Sequence, residues 1–191
     1  MGVTAGSRFN AARRMHSIDR SFNYMLSAVS VAVIALTVLP FVYDLELSDQ
    51  RLVGLFTIAA SIAILVLTNI KYGNRDLVIA EQLHRCALEI NEVGRRLDAE
   101  AEKEGKFRSY SDEYSAILQK YSVNHEKIDF VEHKVYRRSE YEAEFSGMLG
   151  NLNFFWSNLQ IFWAHNYVWI AGVPVLVICA WIVLRSVDLV P

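Results

Sequence analysis

The amino-acid sequence predicts an all-α membrane protein: an antiparallel transmembrane hairpin, long cytoplasmic helices and a C-terminal third transmembrane helix. Three observations lead there. Ser21–Tyr43, Leu52–Ile70 and Ser146–Leu184 contain no Asp, Glu, Lys or Arg, and a hydrocarbon core about 30 Å thick is crossed by roughly 20 apolar residues at ~1.5 Å rise each. Charge is segregated, with 13 of the 19 Lys and Arg and 16 of the 21 Asp and Glu falling between Lys71 and His165. No stretch alternates Val or Ile with polar residues and no hairpin-turn signal appears, so no sheet is expected.

Composition agrees. Of the 191 residues, 53% are hydrophobic and 21% charged, and the mean hydropathy is +0.19. The first apolar run follows a head of 20 residues and exceeds the about 7–15 residues of a signal-peptide core, so no cleavable signal is expected. Gly6 stands where a myristoylation motif wants Ser or Thr. Cys86 lies in the charged block and Cys179 deep in the third apolar run, so a disulfide is not expected and a reducing cytosol is compatible. The net charge of −2 argues against direct nucleic-acid binding.

The chain divides into a basic amphipathic N-terminal helix (1–20), a transmembrane hairpin (21–70), a cytoplasmic helical domain (71–145), an interfacial aromatic helix (146–166) and a third transmembrane helix (167–185). Only Asp44–Arg51 separates the first two spans, which forces them antiparallel. Arg8, Arg13, Arg14 and Arg20 precede the hairpin, Lys71 and Arg75 follow it, and the turn is acidic with Asp44, Glu46 and Asp49. Positive charge stays on the cytoplasmic side during insertion, so the head and the charged block are expected inside. The third charge-free run is 39 residues long, too long for one crossing. Its first part carries Asn151, Asn153, Asn158 and Gln160 among Phe154, Trp156, Phe162 and Trp163, a mixture that settles at the headgroup level. Tyr167–Leu184 then crosses and ends in Arg185 and Asp188 outside, with a bend expected at Pro174.

In the charged block, Leu83, Ala87, Ile90 and Leu97 recur at helical spacing, with Leu77 and Val93 near the same stripe. If the second span runs straight into this segment, Leu52–Glu104 is one rod of about 80 Å; Gly73-Asn74 is its weak point, and Gly105 is the expected stop. Ser109-Tyr110-Ser111-Asp112 reads as a helix start, followed by Tyr114, Leu118 and Tyr121 on one face. Asn124 is expected to cap a further helix with Ile128, Val131 and Val135.

Nothing reads as a catalytic centre, and neither an enzyme nor a cofactor is expected. His125 and Asp129, four apart, are expected to share a helix face and brace the fold; with His84–Glu81 and His133–Glu132 they are pairs, whereas a metal needs three or four converging ligands. In the spans, Thr57, Ser61 and Thr68 (with Gly54) share one face, as do Ser27, Ser30 and Thr37. Such residues pack helices closely; in an oligomer one such face lines a water-filled path, which makes these six the pore-lining candidates. No ionisable group sits inside a span, which weighs against a proton-coupled transporter.

The segment from Tyr114 through Leu118 to Asn124-His125-Glu126-Lys127-Ile128-Asp129-Phe130 resembles the signature of SLATT domains: a Tyr-x-x-Ile-Leu run, then Asn-His, an acid and an aromatic. The acid here comes one residue later than in that pattern. The basic head, tight hairpin and long following helix agree, so the resemblance covers roughly Arg8–Tyr141, and the third span resembles the subgroup with a C-terminal membrane helix. The motif residues are Tyr114, Leu118, Asn124, His125 and Asp129. The resemblance implies a bacterial anti-phage (abortive infection) effector that oligomerises in the inner membrane and forms or opens a pore. Its trigger would be a cognate sensor protein, a nucleotide second messenger or a reverse transcriptase of the same system. The alternative is a membrane-anchored helical adaptor or scaffold without pore activity.

Overall fold

A computed structural model describes residues 1–100 and 103–188. Among these the chain is helical, with no strand: α1 (Gly2–Val42), α2 (Leu47–Gly73), α3 (Asp76–Ala99), α4 (Lys103–Lys120), α5 (Lys127–Tyr136), a short 3-10 turn (Arg138–Tyr141), α6 (Glu142–Phe145) and α7 (Gly147–Asp188). Three helical stretches are long and apolar enough to cross a membrane: Gly2–Val42, Leu47–Ala99 and Gly147–Arg185. The chain forms two compact units. One joins Met1–Ser17 to Asp76–His165; the other holds Ile18–Arg75 and the residues from Asn166 onward.

In the first unit, the stripe of α3 builds the core. Leu83, Cys86, Ala87 and Ile90 are wholly buried and Val93 nearly so, because positions three or four apart fall on one helical face. Ala5 of α1 and Ile117 of α4 close this cluster, with Tyr110, Tyr114, Leu118 and Tyr121 packed on it. Ala11 and Ala12 of α1 meet Leu83 beside it. Small residues let α1 approach closely, so the head of the chain is part of this core. Leu77, expected near the stripe, is exposed instead.

In the second unit, Leu36 and Leu39 of α1, Leu45, Val53 of α2 and Cys179 of α7 form one cluster, and Ile18, Met25 and Val168 form another. The outward faces of these helices carry exposed Val31, Ile34, Leu55, Ile62, Leu65, Val177 and Ile178. In water that surface would be unstable; in lipid it is the ordinary condition of a spanning helix. Cys86 and Cys179 are both free. Pro174 lies inside α7, where its missing N–H leaves the Ile170 carbonyl without its usual donor.

Several boundaries differ from the sequence-based expectations. The rod from Leu52 is interrupted after Gly73: Asn74 caps α2, and Arg75 takes φ of 52°, which a helix cannot continue through. Helix α3 ends at Ala99 rather than at Gly105, which sits inside α4. Helix α4 does not begin at Ser109 but runs through it; Ser115 Oγ donates to the Ser111 carbonyl at 2.9 Å, so these hydroxyls serve a helix interior. Asn124 does not cap α5. Glu126 is the N-cap, in an extended conformation (φ −84°, ψ 164°).

Candidate functional site: a buried clamp on the N-terminal helix

The sequence motif lands where α5 starts. Asp129 occupies the third position of α5, and its carboxylate oxygen accepts from the Glu126 backbone N–H at 2.8 Å. This is half of a capping box, which satisfies an orphan donor of the helix start. The same carboxylate is gripped from the other end of the chain. Arg14 of α1 donates through Nε to Asp129 Oδ1 at 2.8 Å and through Nη2 to Oδ2 at 3.1 Å, a two-pronged fit between planar groups. Arg14 also lies 3.3 Å from Glu126 Oε1, and Asn10 Nδ2 donates to the Asp129 backbone carbonyl at 3.1 Å. Asp129 is wholly buried and Arg14 only 7% exposed. Burial works against the Arg14 charge, but the hydrogen bonds and charge of Asp129 outweigh it and raise the Arg14 pKa.

Around this clamp the head of α1 is unusually polar for a buried face. Ser7, Arg8, Asn10 and Arg14 are all buried. Arg8 Nη1 donates to Cys86 Sγ at 2.8 Å. Tyr114 Oη donates to Thr4 Oγ1 at 3.2 Å, so a second motif residue also holds α1. Leu118 packs against the α3 core. Asn124 is exposed, and its Oδ1 accepts from the His125 backbone N–H at 2.9 Å. His125 therefore precedes α5 and does not share a helix face with Asp129. Farther along, buried Glu132 lies 3.3 Å from His165 Nε2 of α7, while the His84 ring meets Phe9 edge-on at 5.4 Å. His133 packs against Gly6, where an added Cβ would sit 2.3 Å from its Nδ1.

Burial pushes the pKa of both His125 and His133 down; Arg8 adds to this for His125 and Arg137 for His133, with Asp129 and Glu140 opposing. A histidine whose folded pKa lies below its unfolded value of 6.5 binds protons more tightly in the unfolded chain. Its contribution to stability is complete above that value and is lost as pH falls from there toward the folded pKa. The unfolding temperature in detergent is expected to drop between about pH 7.5 and 5.5, and His125→Asn with His133→Asn to flatten that slope. Differential scanning fluorimetry across that range checks it; equal slopes would refute it.

The pore-lining candidates lie in the second unit. Thr57 is buried, Ser30 and Thr68 are half-buried, and Ser27, Thr37 and Ser61 are exposed. Five of these hydroxyls donate to carbonyls of their own helix: Ser27 to Asn23, Thr37 to Val33, Thr57 to Gly54, Ser61 to Thr57 and Thr68 to Ile64, at 2.7–3.0 Å. They are satisfied within the helix and can face lipid or water alike.

Residues 1–186 match the family of SMODS and SLOG-associating 2TM effector domains, family 5, of the SLATT group. The chain belongs to that SLATT family. No curated protein and no solved structure matches it. The SLATT match extends over more of the chain than the signature around Asp129 implied. It takes in the first residues of α1 and almost all of α7, so the third apolar helix lies within the matched region although the family is named for two. This SLATT chain is a membrane protein of an effector family. The residues that sequence reasoning missed are Arg14 and Arg8, counted there only as head residues and topology charges, and Asn10, which it did not single out. The available signal was the spacing Ser7, Ala11, Arg14 with Ala5, Arg8, Ala12, a stripe of small residues with guanidiniums set at one helical face.

Proposed function

We propose that this chain is the membrane-damaging effector of a bacterial anti-phage system. It sits in the inner membrane with its N-terminus and charged block in the cytoplasm and its C-terminus outside. Several copies assemble, and on a signal from a cognate sensor, a nucleotide second messenger or a reverse transcriptase the spans form or open a pore. It carries out no catalysis. The observation that supports this reading best is the continuity of α1: one helix supplies both the Arg14 that Asp129 holds and the first apolar span. A cytoplasmic event that moves the clamped head of α1 therefore acts on a membrane helix directly. The family's name as an effector domain associating with SMODS and SLOG supports a cognate partner.

The test is co-expression with an activating partner and a voltage-sensitive dye. Collapse of the membrane potential is expected; an intact potential under activation would remove the reading. Within it, Ser61→Leu is expected to lower conduction several-fold while leaving the amount of protein in the membrane unchanged, because an isobutyl group replaces a hydroxyl in the path. Loss of protein from the membrane in step with conduction would assign Ser61 to packing instead.

One observation favours the adaptor reading: the span hydroxyls find partners inside their own helices, so nothing in them requires water. If the spans only anchor a helical scaffold, replacing residues 21–70 by an unrelated hairpin preserves function. The effector reading expects loss.

A further inference from the structure

Within the first unit, a cleft of about 560 Å³ opens between the head of α1, α3 and the end of α5. That lies within the roughly 300–1,000 Å³ of small-molecule sites. Its fixed charge is of one sign: Arg13 of α1 and Arg137 just after α5 line it, and no Asp or Glu does. Arg13 is exposed and no carboxylate among the described residues pairs with it. Its Nη2 donates to Asn10 Oδ1 at 2.5 Å, and its guanidinium lies 5.7 Å from the centre of the Tyr136 ring. Arg137 Nη1 reaches Glu140 Oε1 at 2.8 Å, but both side chains are about half exposed. Such a surface pair is weak enough to yield to a doubly charged anion.

The inner wall holds an unsatisfied group. His133 lines the cleft and is 5% exposed, and its Nε2 is buried without a hydrogen-bond partner. Nearly all buried nitrogens have a partner; a polar group seated in the cleft supplies the one missing here. Aromatic rings complete the lining. Tyr136 is 68% exposed, and Phe9 stands edge-on to the His84 ring. An open tyrosine ring beside an unpaired guanidinium offers a flat face to a planar group and a charge to a phosphate.

We propose that this cleft binds a nucleotide, one nucleoside monophosphate unit per chain, with the phosphate at Arg13 and Arg137 and the base against Tyr136. A cation is repelled, an inorganic anion leaves the aromatic face unused, and an uncharged ring leaves the guanidiniums unused. Asn10 ties the cleft to the clamp, since its Oδ1 accepts from Arg13 and its Nδ2 donates to the Asp129 carbonyl at 3.1 Å. A phosphate that draws Arg13 from Asn10 therefore acts on the head of α1. That consequence rests on the proposed function, in which a nucleotide is one of the triggers; the binding site does not, so failure to bind and failure to conduct are separate results.

The experiment titrates AMP, CMP, GMP and UMP separately into the purified full chain in detergent and follows the heat of binding. At least one is expected to bind saturably, with inorganic phosphate and the matching nucleoside about tenfold weaker or more. Arg13→Gln with Arg137→Gln should weaken binding about tenfold or more, as loss of charge-assisted contacts to a phosphate does. Tyr136→Ala should weaken it about fivefold or more, as loss of a stacking face does. All three side chains are exposed, so these variants keep the fold. Arg95→Gln, which removes the same charge from an exposed position outside the cleft, should bind as the wild type does. No saturable binding of any of the nucleotides at millimolar concentration would overturn the proposal. So would equal binding of inorganic phosphate or of the nucleoside, unchanged binding in the double variant, or equal weakening by Arg95→Gln.

Discussion

Asp129→Ala is expected to lower the stability of the charged-block unit by about 3–5 kcal/mol, the usual cost of leaving one partner of a buried ion pair unmatched. The reason is the number of groups that depend on one carboxylate. Arg14 loses both prongs of its contact, the Glu126 N–H loses its acceptor at the start of α5, and the guanidinium of Arg14 stays buried without its main counter-charge. Arg14→Ala should cost a similar amount, since Asp129 is then the uncompensated charge. Arg14→Met combined with Asp129→Leu should recover much of the loss, because a buried pair replaced by apolar groups of similar volume is often neutral. Thermal unfolding of the three variants in detergent measures this as a cycle. Additive losses in the double variant would mean the two side chains do not act on each other.

Gly150→Ala should cost about 1–3 kcal/mol, or more if the turn cannot move, although it adds a single methyl group. A Cβ at this position would lie 2.5 Å from the Phe145 carbonyl carbon and 3.0 Å from its Cα. Backbone atoms cannot rotate away as a side-chain tip can. The neighbourhood is also held tightly: Phe145 is 2% exposed, and Arg138 Nη2 donates to the Phe145 carbonyl at 3.1 Å and to Asn151 Oδ1 at 2.9 Å. The same guanidinium lies 4.5 Å over the Phe154 ring, and Gly147 takes a φ of +72° that L side chains avoid. A side chain at position 150 forces the backbone at Phe145 to shift where the chain enters α7. Limited proteolysis near Ser146 should speed up in Gly150→Ala and not in Gly105→Ala, where a Cβ meets nothing within 4 Å. Equal rates would show that the turn yields.

The spans were legible because a charge-free run of bilayer length is stable in lipid and rarely found in a water-soluble chain. The α3 stripe was legible because its buried positions, Leu83, Ala87, Ile90 and Val93, lie on one face of one helix. Tyr114, Leu118 and Tyr121 were placed on one face for the same reason, and they do pack on the core. The clamp was not legible. Arg14 and Asp129 are 115 residues apart, no periodicity links them, and an arginine ahead of a first span reads as an inside-positive charge. Ser109 and Asn124 are residues that cap helices well, but Ser109 lies inside α4 and Asn124 in the loop before α5. Competition from the longer α4, and from Glu126 with Asp129 just downstream, decided the boundaries. The break at Gly73-Asn74 was marked as a weak point by composition; the left-handed Arg75 that completes it carries no sequence signal.

Asp129 holds the helix that becomes the first apolar span, and in the proposed function cytoplasmic activation reaches the bilayer through α1. Asp129→Asn keeps the side-chain volume and removes the charge, which makes it the gentlest break. With protein levels in the membrane matched to the wild type, dye-reported potential on activation is predicted to stay intact in Asp129→Asn while it collapses in the wild type. A collapse of the same size in both would contradict the account.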